Sequence, residues 1–159
     1  MRALRFSGLT AAALLAVLGG CKQEAGDEKT ALSRTELTVT TADGTAHRFV
    51  VEVAATEAQQ QQGLMYRPPL APDAGMLFAP YPPDGGPPRV ANFWMRNTPS
   101  PLDILFIRPD RTIATIAENT VPFSEAPVPS GEPVSAVLEL GGGRAAELGI
   151  AAGDKVSWK

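Results

Sequence analysis

Cysteine and histidine are almost missing from this chain, which has one of each among its 159 residues, Cys21 and His47. A single cysteine excludes an internal disulfide and a cysteine-based zinc cluster. A single histidine argues against most zinc sites and most hydrolytic triads. The methionines could bind Cu(I), although methionine more often fills gaps in a core. We therefore expect no metal site and no cofactor.

No apolar run is long enough to cross a membrane as a helix. Two arginines, Arg2 and Arg5, come first, and the apolar or small residues that follow them end at Gly20. Crossing the hydrocarbon core takes about 20 apolar residues, so this stretch is too short for an anchor helix. A short positive segment followed by a short apolar one is typical of a secretory signal peptide. We expect residues 1–20 to be removed on export.

The end of this segment, Leu18-Gly19-Gly20-Cys21, resembles the lipobox of bacterial lipoproteins. The resemblance implies that the Cys21 thiol is acylated, so that a lipid joins the mature chain to a membrane. The alternative is an exported protein with one unmodified cysteine. Residues 21–36 then form the acylated cysteine and a polar tether, whose composition favours disorder. Because Lys22 rather than aspartate follows Cys21, the resemblance also implies an outer-membrane location facing the periplasm in a Gram-negative cell.

Positive charge is scarce in the mature chain. Removing residues 1–20 leaves 12 Lys plus Arg against 17 Asp plus Glu, a net charge of 12 − 17, or −5. An acidic domain is a poor binder of nucleic acid, and we expect no such partner. The remaining length suits one domain with one core, which we place at residues 37–159.

The patterning of residues 37–159 is that of a β protein. Apolar residues alternate on both sides of Asp43-Gly44, which predicts a hairpin. Thr56 and Gln59 have the spacing of a capping box, so a short helix should begin there and end at Gly63. Short apolar runs predict strands at 75–78, 90–96, 102–107, 112–117, 134–140 and 155–158, with proline-rich loops at 80–89 and 122–133 and a second short helix at 144–148. The fold class is a compact antiparallel β-sandwich or jelly-roll-like domain with one or two short helices.

Residues 93–104 are the most informative stretch. The prolines at positions 99 and 101 predict a turn, so that strands 90–96 and 102–107 would pair with Met95 opposite Asp103. Asp103 alternates in phase with Leu105 and Ile107, which places a carboxylate on an apolar face. We expect it to bind the Asn97 to Thr98 region or an arginine.

Glu139 raises the same question, because it lies in a strand that is apolar on both faces. Two carboxylates embedded in apolar strands could form an acid/base pair with Asp103. The alternative, which we favour, is that each supports a loop or pairs with an arginine such as Arg67 or Arg96. Residues 141–146, three glycines followed by Arg-Ala-Ala, only superficially match a dinucleotide fingerprint, since the chain ends before the required βαβ unit.

Several blocks of this sequence are similar to a bacterial and archaeal family named domain of unknown function 192. The blocks are Gly63-Leu64-Met65-Tyr66-Arg67, Gly75-Met76-Leu77-Phe78, Phe93-Trp94-Met95-Arg96-Asn97-Thr98 with Leu102-Asp103-Ile104, Val137-Leu138-Glu139-Leu140, and Gly149-Ile150 with Gly153-Asp154-Lys155-Val156. The resemblance implies a compact β domain, often exported, of unsettled role. It directs attention to the residues of these blocks that are not simple core types: Arg67, Trp94, Asn97, Thr98, Asp103 and Glu139.

Two functions remain open. One is a non-enzymatic envelope module that binds a small ligand, a glycan or an envelope protein near Trp94, Asn97 and Asp103, since an aromatic face beside a few polar groups is a common recipe for a binding site. The other is an envelope polysaccharide hydrolase with Asp103 and Glu139 as its acid and base. Hydrolysis requires both carboxyl groups in one cleft, about 5 to 10 Å apart. The catalytic residues, if any, are unknown, and we favour the binding module.

Overall fold

The computed structural model describes residues 32–159, and these form nine strands and two short helices. The expected signal peptide, Cys21 and most of the expected tether lie outside the described residues. The elements are β1 (Ser33–Thr40), β2 (Ala46–Ala54), α1 (Glu57–Gln62), β3 (Ala74–Phe78), β4 (Arg89–Phe93), β5 (Leu102–Ile107), β6 (Ile113–Ala117), β7 (Val128–Val134), β8 (Ala136–Gly141), α2 (Arg144–Leu148) and β9 (Lys155–Trp158). A mainly β single domain with two short helices is confirmed.

The local turns form where the sequence predicts them. Strands β1 and β2 pair antiparallel around Gly44, whose φ of 87° is a conformation that glycine adopts without strain. Helix α1 begins with the expected capping box, in which the Thr56 side chain accepts from the Gln59 N–H and the Gln59 side chain accepts from the Thr56 N–H. It ends at Gly63, which also has a positive φ. These contacts join residues that are close in sequence, which is why the sequence pattern predicts them.

Seven strands form one curled sheet in the order β6-β5-β8-β3-β2-β1-β9. Its two edge strands meet, because Thr112 bridges to Lys155 and the Val156 N–H donates to the Arg111 carbonyl at 2.8 Å. All pairs are antiparallel except β2 with β3, which are parallel. Strands β4 and β7 form a separate two-stranded sheet.

The curled sheet separates two apolar clusters. The inner cluster draws residues from all seven strands and includes Phe49, Leu105 and Leu138, and α2 contributes Ala145 to it. The outer cluster lies on the other face, under the β4–β7 sheet, and includes Phe78 and Phe106. Because side chains alternate along a strand, neighbouring residues of β5 and of β8 belong to different clusters. This alternation decides where the two buried carboxylates point.

Three sequence predictions are corrected. Strand β4 does not pair with β5, as a hairpin across the prolines would require, but with β7, whereas β5 pairs with β6 and β8. The region 122–133 is not only a loop, since β7 starts at Val128; its prolines are tolerated because a two-stranded sheet has unpaired edges on both sides. Strand β1 starts at Ser33, so residues 33–36, assigned to the tether, pair with β2.

Candidate functional site

An open cleft of about 830 Å³ lies on the outer side of the curled sheet, within the size range of small-molecule sites. Helix α1 and residues 63–66 form one wall. Residues 92–98, which are the last two residues of β4 and the segment after it, form another. The buried side chains that reach it, among them Phe78 and Glu139, form its floor. Rings and amides dominate its surface: Gln60, Tyr66, Tyr81, Asn92, Phe93, Trp94 and Asn97.

Trp94 stands at the rim of this cleft and not in the core. Its neighbour Met95 is buried in the outer cluster, and the Met95 N–H donates to the Ser124 carbonyl at 2.9 Å. Since consecutive side chains of an extended segment point in opposite directions, burying Met95 turns Trp94 outward. The indole is 48% exposed, and the Arg96 guanidinium lies 5.4 Å from its ring centroid. A large apolar side chain held in this way is available to a ligand.

The backbone takes the left-handed conformation on both walls of the cleft. Tyr66 has φ 62° and Asn97 has φ 55°, although neither is glycine. The Tyr66 N–H donates to the Asn97 carbonyl at 2.8 Å, which joins the two walls directly. Asparagine adopts this conformation readily, whereas for tyrosine it costs on the order of 1 kcal/mol. Tyr66 is 74% exposed, so packing of its side chain does not explain this strain.

Glu139 is the one carboxyl group among the described residues that is buried at the floor of this cleft. Strand β8 places it between Met76 of β3 and Ile104 of β5, both apolar. Its Oε2 has no hydrogen-bond partner within residues 32–159. Burial in these surroundings raises the pKa of Glu139 to about 8, because desolvation penalises the charged form. At neutral pH the group is therefore mostly a neutral carboxylic acid, which can both donate and accept a hydrogen bond.

Asp103 has a different environment. Its Oδ1 accepts the N–H groups of Asn119 at 2.7 Å and Gly143 at 2.9 Å, and its Oδ2 accepts the N–H of Ala145 at 2.7 Å. The expected burial is confirmed, but the expected partners, the Asn97 to Thr98 region or an arginine, are wrong. Strand β5 turns this side chain toward the inner cluster, where the amides come from the start of α2 and from the segment after β6.

The hypothesis of a paired acid and base is wrong on geometry. Asp103 lies opposite Leu140, and Glu139 lies opposite Ile104. Asp103 shares a face with Leu105 of the inner cluster, whereas Glu139 shares a face with Val137 of the outer cluster. The sheet therefore separates the two carboxyl groups, and only Glu139 reaches the cleft. They cannot act together on one bond.

Of the six candidate binding residues, the structure brings four together at the cleft: Trp94, Asn97, Thr98 and Glu139. Thr98 is buried, with its N–H bound to the Met95 carbonyl at 3.0 Å. Arg67 does not line the cleft, because its guanidinium forms an ion pair with Glu52. Asp103 is the second candidate that lies elsewhere. Sequence analysis also missed residues that line the cleft but were not singled out by any chemical pattern, such as Tyr66 and Gln60.

Two kinds of site find no support in the described part of the chain. No group of three or more His, Cys, Asp or Glu side chains in residues 32–159 is arranged to hold a metal ion. No helix among the same residues is long and apolar enough to span a membrane.

Comparison with known proteins places the domain. The sequence profile of domain of unknown function 192 (DUF192), described as Uncharacterized ACR, matches residues 38–158. The chain belongs to this family. No curated protein matches it. The matched range includes every residue that lines the cleft, so the cleft is part of the DUF192 domain itself.

Two solved structures resemble this DUF192 chain over most of its length. One, from Sinorhizobium meliloti 1021, is described as a candidate transcription regulator; it is 45% identical with a TM-score of 0.75, covering 80% of this chain and 95% of its own. The other, a protein of unknown function from Novosphingobium aromaticivorans DSM 12444, is 41% identical with a TM-score of 0.74, covering 96% of this chain and 100% of its own. Both likenesses support the fold and leave the DUF192 function open.

Proposed function

We propose that this protein is a lipid-anchored envelope module that binds a small glycan in the cleft beside Trp94. The observation that carries the proposal is the cleft itself, where exposed rings and side-chain amides meet between two walls that a hydrogen bond from Tyr66 to Asn97 joins. Sugar rings present apolar C–H faces that pack on aromatic rings, and hydroxyl groups that bind amides. Trp94 and Tyr66 supply the rings, and Asn92 and Asn97 supply amides.

The distribution of carboxyl groups supports binding and not hydrolysis. A glycosidase places two carboxyl groups on either side of the bond that it cleaves. Glu139 is at the floor of the cleft, and Asp103 is on the other face of the sheet. The second acidic residue that lines the cleft, Glu57, is exposed in the first turn of α1 and accepts from the Gln61 side chain. We therefore infer a non-enzymatic role.

The proposed location rests on the lipobox-like Leu18-Gly19-Gly20-Cys21 and the signal-like segment before it. A lipid on Cys21 would leave 11 residues before β1 begins at Ser33, which span at most about 40 Å when fully extended. The cleft would then work close to the membrane surface. Residues 32–159 carry 10 Lys plus Arg and 14 Asp plus Glu, or 10 − 14 = −4, and this negative charge opposes nucleic-acid binding.

Titration with a panel of soluble oligosaccharides, followed by calorimetry or tryptophan fluorescence, tests the proposal. We expect saturable binding of at least one glycan, weakened about tenfold or more by Trp94→Ala because a stacking ring is worth roughly 0.5–1.5 kcal/mol beyond its buried area. Val50→Ala is the matched control, since Val50 is 53% exposed but lies outside the cleft. The proposal fails if no glycan binds, or if Trp94→Ala and Val50→Ala bind alike.

A further inference from the structure

Glu139 has a stability cost that nothing within the described fold repays. A buried polar atom without a partner lowers the stability of the folded state, because it gives up its hydrogen bonds to water and gains none. Its cross-strand neighbours, Met76 and Ile104, show that this face of the sheet accepts apolar side chains. A leucine would satisfy the packing, yet the chain has a carboxyl group that lines the floor of the cleft and whose buried Oε2 has no partner among the described residues. A group of this kind is suited to a partner that arrives from outside.

The charged groups around Glu139 leave it without a cation. On the same sheet face, Glu52 lies two strands away and is paired with Arg67. Of the arginines that line the cleft, Arg89 lies 3.8 Å from Asp84, and Arg96 stacks on the Trp94 ring. Glu57, Tyr66 and Tyr81 are the other titratable side chains that line the cleft. The raised pKa of Glu139 has burial as its one cause, with no charge contributing.

The surroundings of Glu139 determine which ligand group its carboxyl group can bind. A neutral carboxylic acid offers one O–H donor and one carbonyl acceptor side by side. A secondary amide is trans and holds its carbonyl oxygen and its N–H on opposite sides, so one of the two binds the acid at a time, and the carbonyl oxygen is a strong acceptor for the acid O–H. An ammonium group would have to approach past the two arginines and would need the ionised form of Glu139. The floor of the cleft therefore suits an uncharged amide.

We propose that the Glu139 carboxyl group at the floor of the cleft binds the acetamido group of an N-acetylated sugar, whose ring packs against Trp94. This rests on the proposed glycan-binding function and specifies which glycans bind. The acetamido methyl group would contact apolar floor residues such as Phe78, which are also buried there. The remaining hydroxyl groups would face the amides of the walls.

The test compares di-N-acetylchitobiose with cellobiose, because the two disaccharides share their linkage and differ in the substituent at C2. Calorimetric titration of the purified protein at pH 6.5 should show at least about tenfold tighter binding of the acetylated sugar than of cellobiose. This is the difference expected when a buried polar group gains a hydrogen bond to the ligand. At pH 9 only about a tenth of Glu139 stays protonated. The affinity of the protein for di-N-acetylchitobiose should therefore be up to about tenfold lower at pH 9 than at pH 6.5.

Two variants isolate the carboxyl group. Glu139→Gln keeps a donor and an acceptor at every pH, so it should bind di-N-acetylchitobiose and lose the fall in affinity between pH 6.5 and 9. Glu139→Leu keeps the volume and removes both groups, so it should bind the two disaccharides equally. Far-UV circular dichroism and a melting curve establish that each variant is folded before titration.

The outcomes separate this inference from the proposed function. Equal binding of the two disaccharides by the wild type, or unchanged preference in Glu139→Leu, overturns the role of Glu139, while dependence on Trp94 leaves glycan binding standing. Binding that tightens from pH 6.5 to 9 also overturns it, because the ionised form would then be the active one. If no glycan of either test binds, both the function and the inference fail.

Discussion

Replacing Glu139 with glutamine should make the protein more stable at neutral pH, although Glu139 is buried and its change removes no hydrogen bond. The folded state holds this proton up to a pKa of about 8, whereas the unfolded chain releases it near 4.5. Between these values the folded state binds more protons, so the stability that the neutral group permits is complete below pH 4.5 and is lost as the pH rises toward 8. Glutamine does not titrate and suffers no such loss.

The magnitude follows from the distance between the two pKa values. At pH 7 the gap from 4.5 is about 2.5 units, and each unit is worth about 1.4 kcal/mol, so Glu139→Gln should gain at most about 3 to 4 kcal/mol over the wild type. Because Glu139 is 4% exposed, solvent screening reduces this little. Near pH 4.5 the two proteins should have similar stability, since both side chains are then neutral.

Urea unfolding at pH 5, 6, 7 and 8, followed by circular dichroism, measures the difference between the two free energies of unfolding. Taking this difference cancels every other titrating group that the proteins share. Glu36→Gln is the control, because it makes the same substitution at an exposed position on β1. A difference that stays constant across this range, or that favours the wild type as pH rises, would refute the reasoning.

Three further outcomes are expected. Asp103→Ala should lower the free energy of unfolding by about 3 to 5 kcal/mol, measured by urea unfolding, because three N–H groups, of which that of Ala145 is buried, lose a charged acceptor; a loss below 1 kcal/mol would contradict this. Trp94→Ala should cost less than about 1.5 kcal/mol in the same assay, since the ring is half exposed, and a core-sized loss would place it in the packing. Cys21→Ser should move the protein from the membrane to the soluble fraction or leave an unprocessed precursor, and normal membrane retention would exclude the lipid.

The features that sequence analysis predicted correctly are set by residues close together in the chain. The Gly44 turn, the Thr56 capping box and the stop of α1 at Gly63 each depend on contacts within a few positions. Alternation also placed Asp103 and Glu139 on buried faces, because a strand has a period of two. What alternation cannot supply is the register between strands, and it is the register that puts these two carboxyl groups on opposite sides of one sheet.

The errors concern contacts between distant segments. Strand β4 finds its partner in β7, where Arg89 lies opposite Val134, while the prolines between β4 and β5 suggested a nearer partner. The amides that hold Asp103 come from residues up to 42 positions away. The sequence did not predict that Tyr66 lines the cleft, because Tyr66 contacts Asn97 only in the folded chain. Such contacts depend on tertiary packing, which local propensity does not determine.

Because β2 and β3 pair in parallel, one wall of the cleft is formed by the long connection between them and not by the sheet. Parallel neighbours cannot be joined by a tight turn, so the chain must return over the sheet before β3 can begin. Residues 55–73 make this return, and they carry α1 and Tyr66. Because both ends are fixed by the two strands, substitutions or changes of length within this connection alter the cleft and leave the strand pairing intact. Under the proposed glycan-binding function, exchanging this connection between two members of the family should alter which ligand the cleft selects.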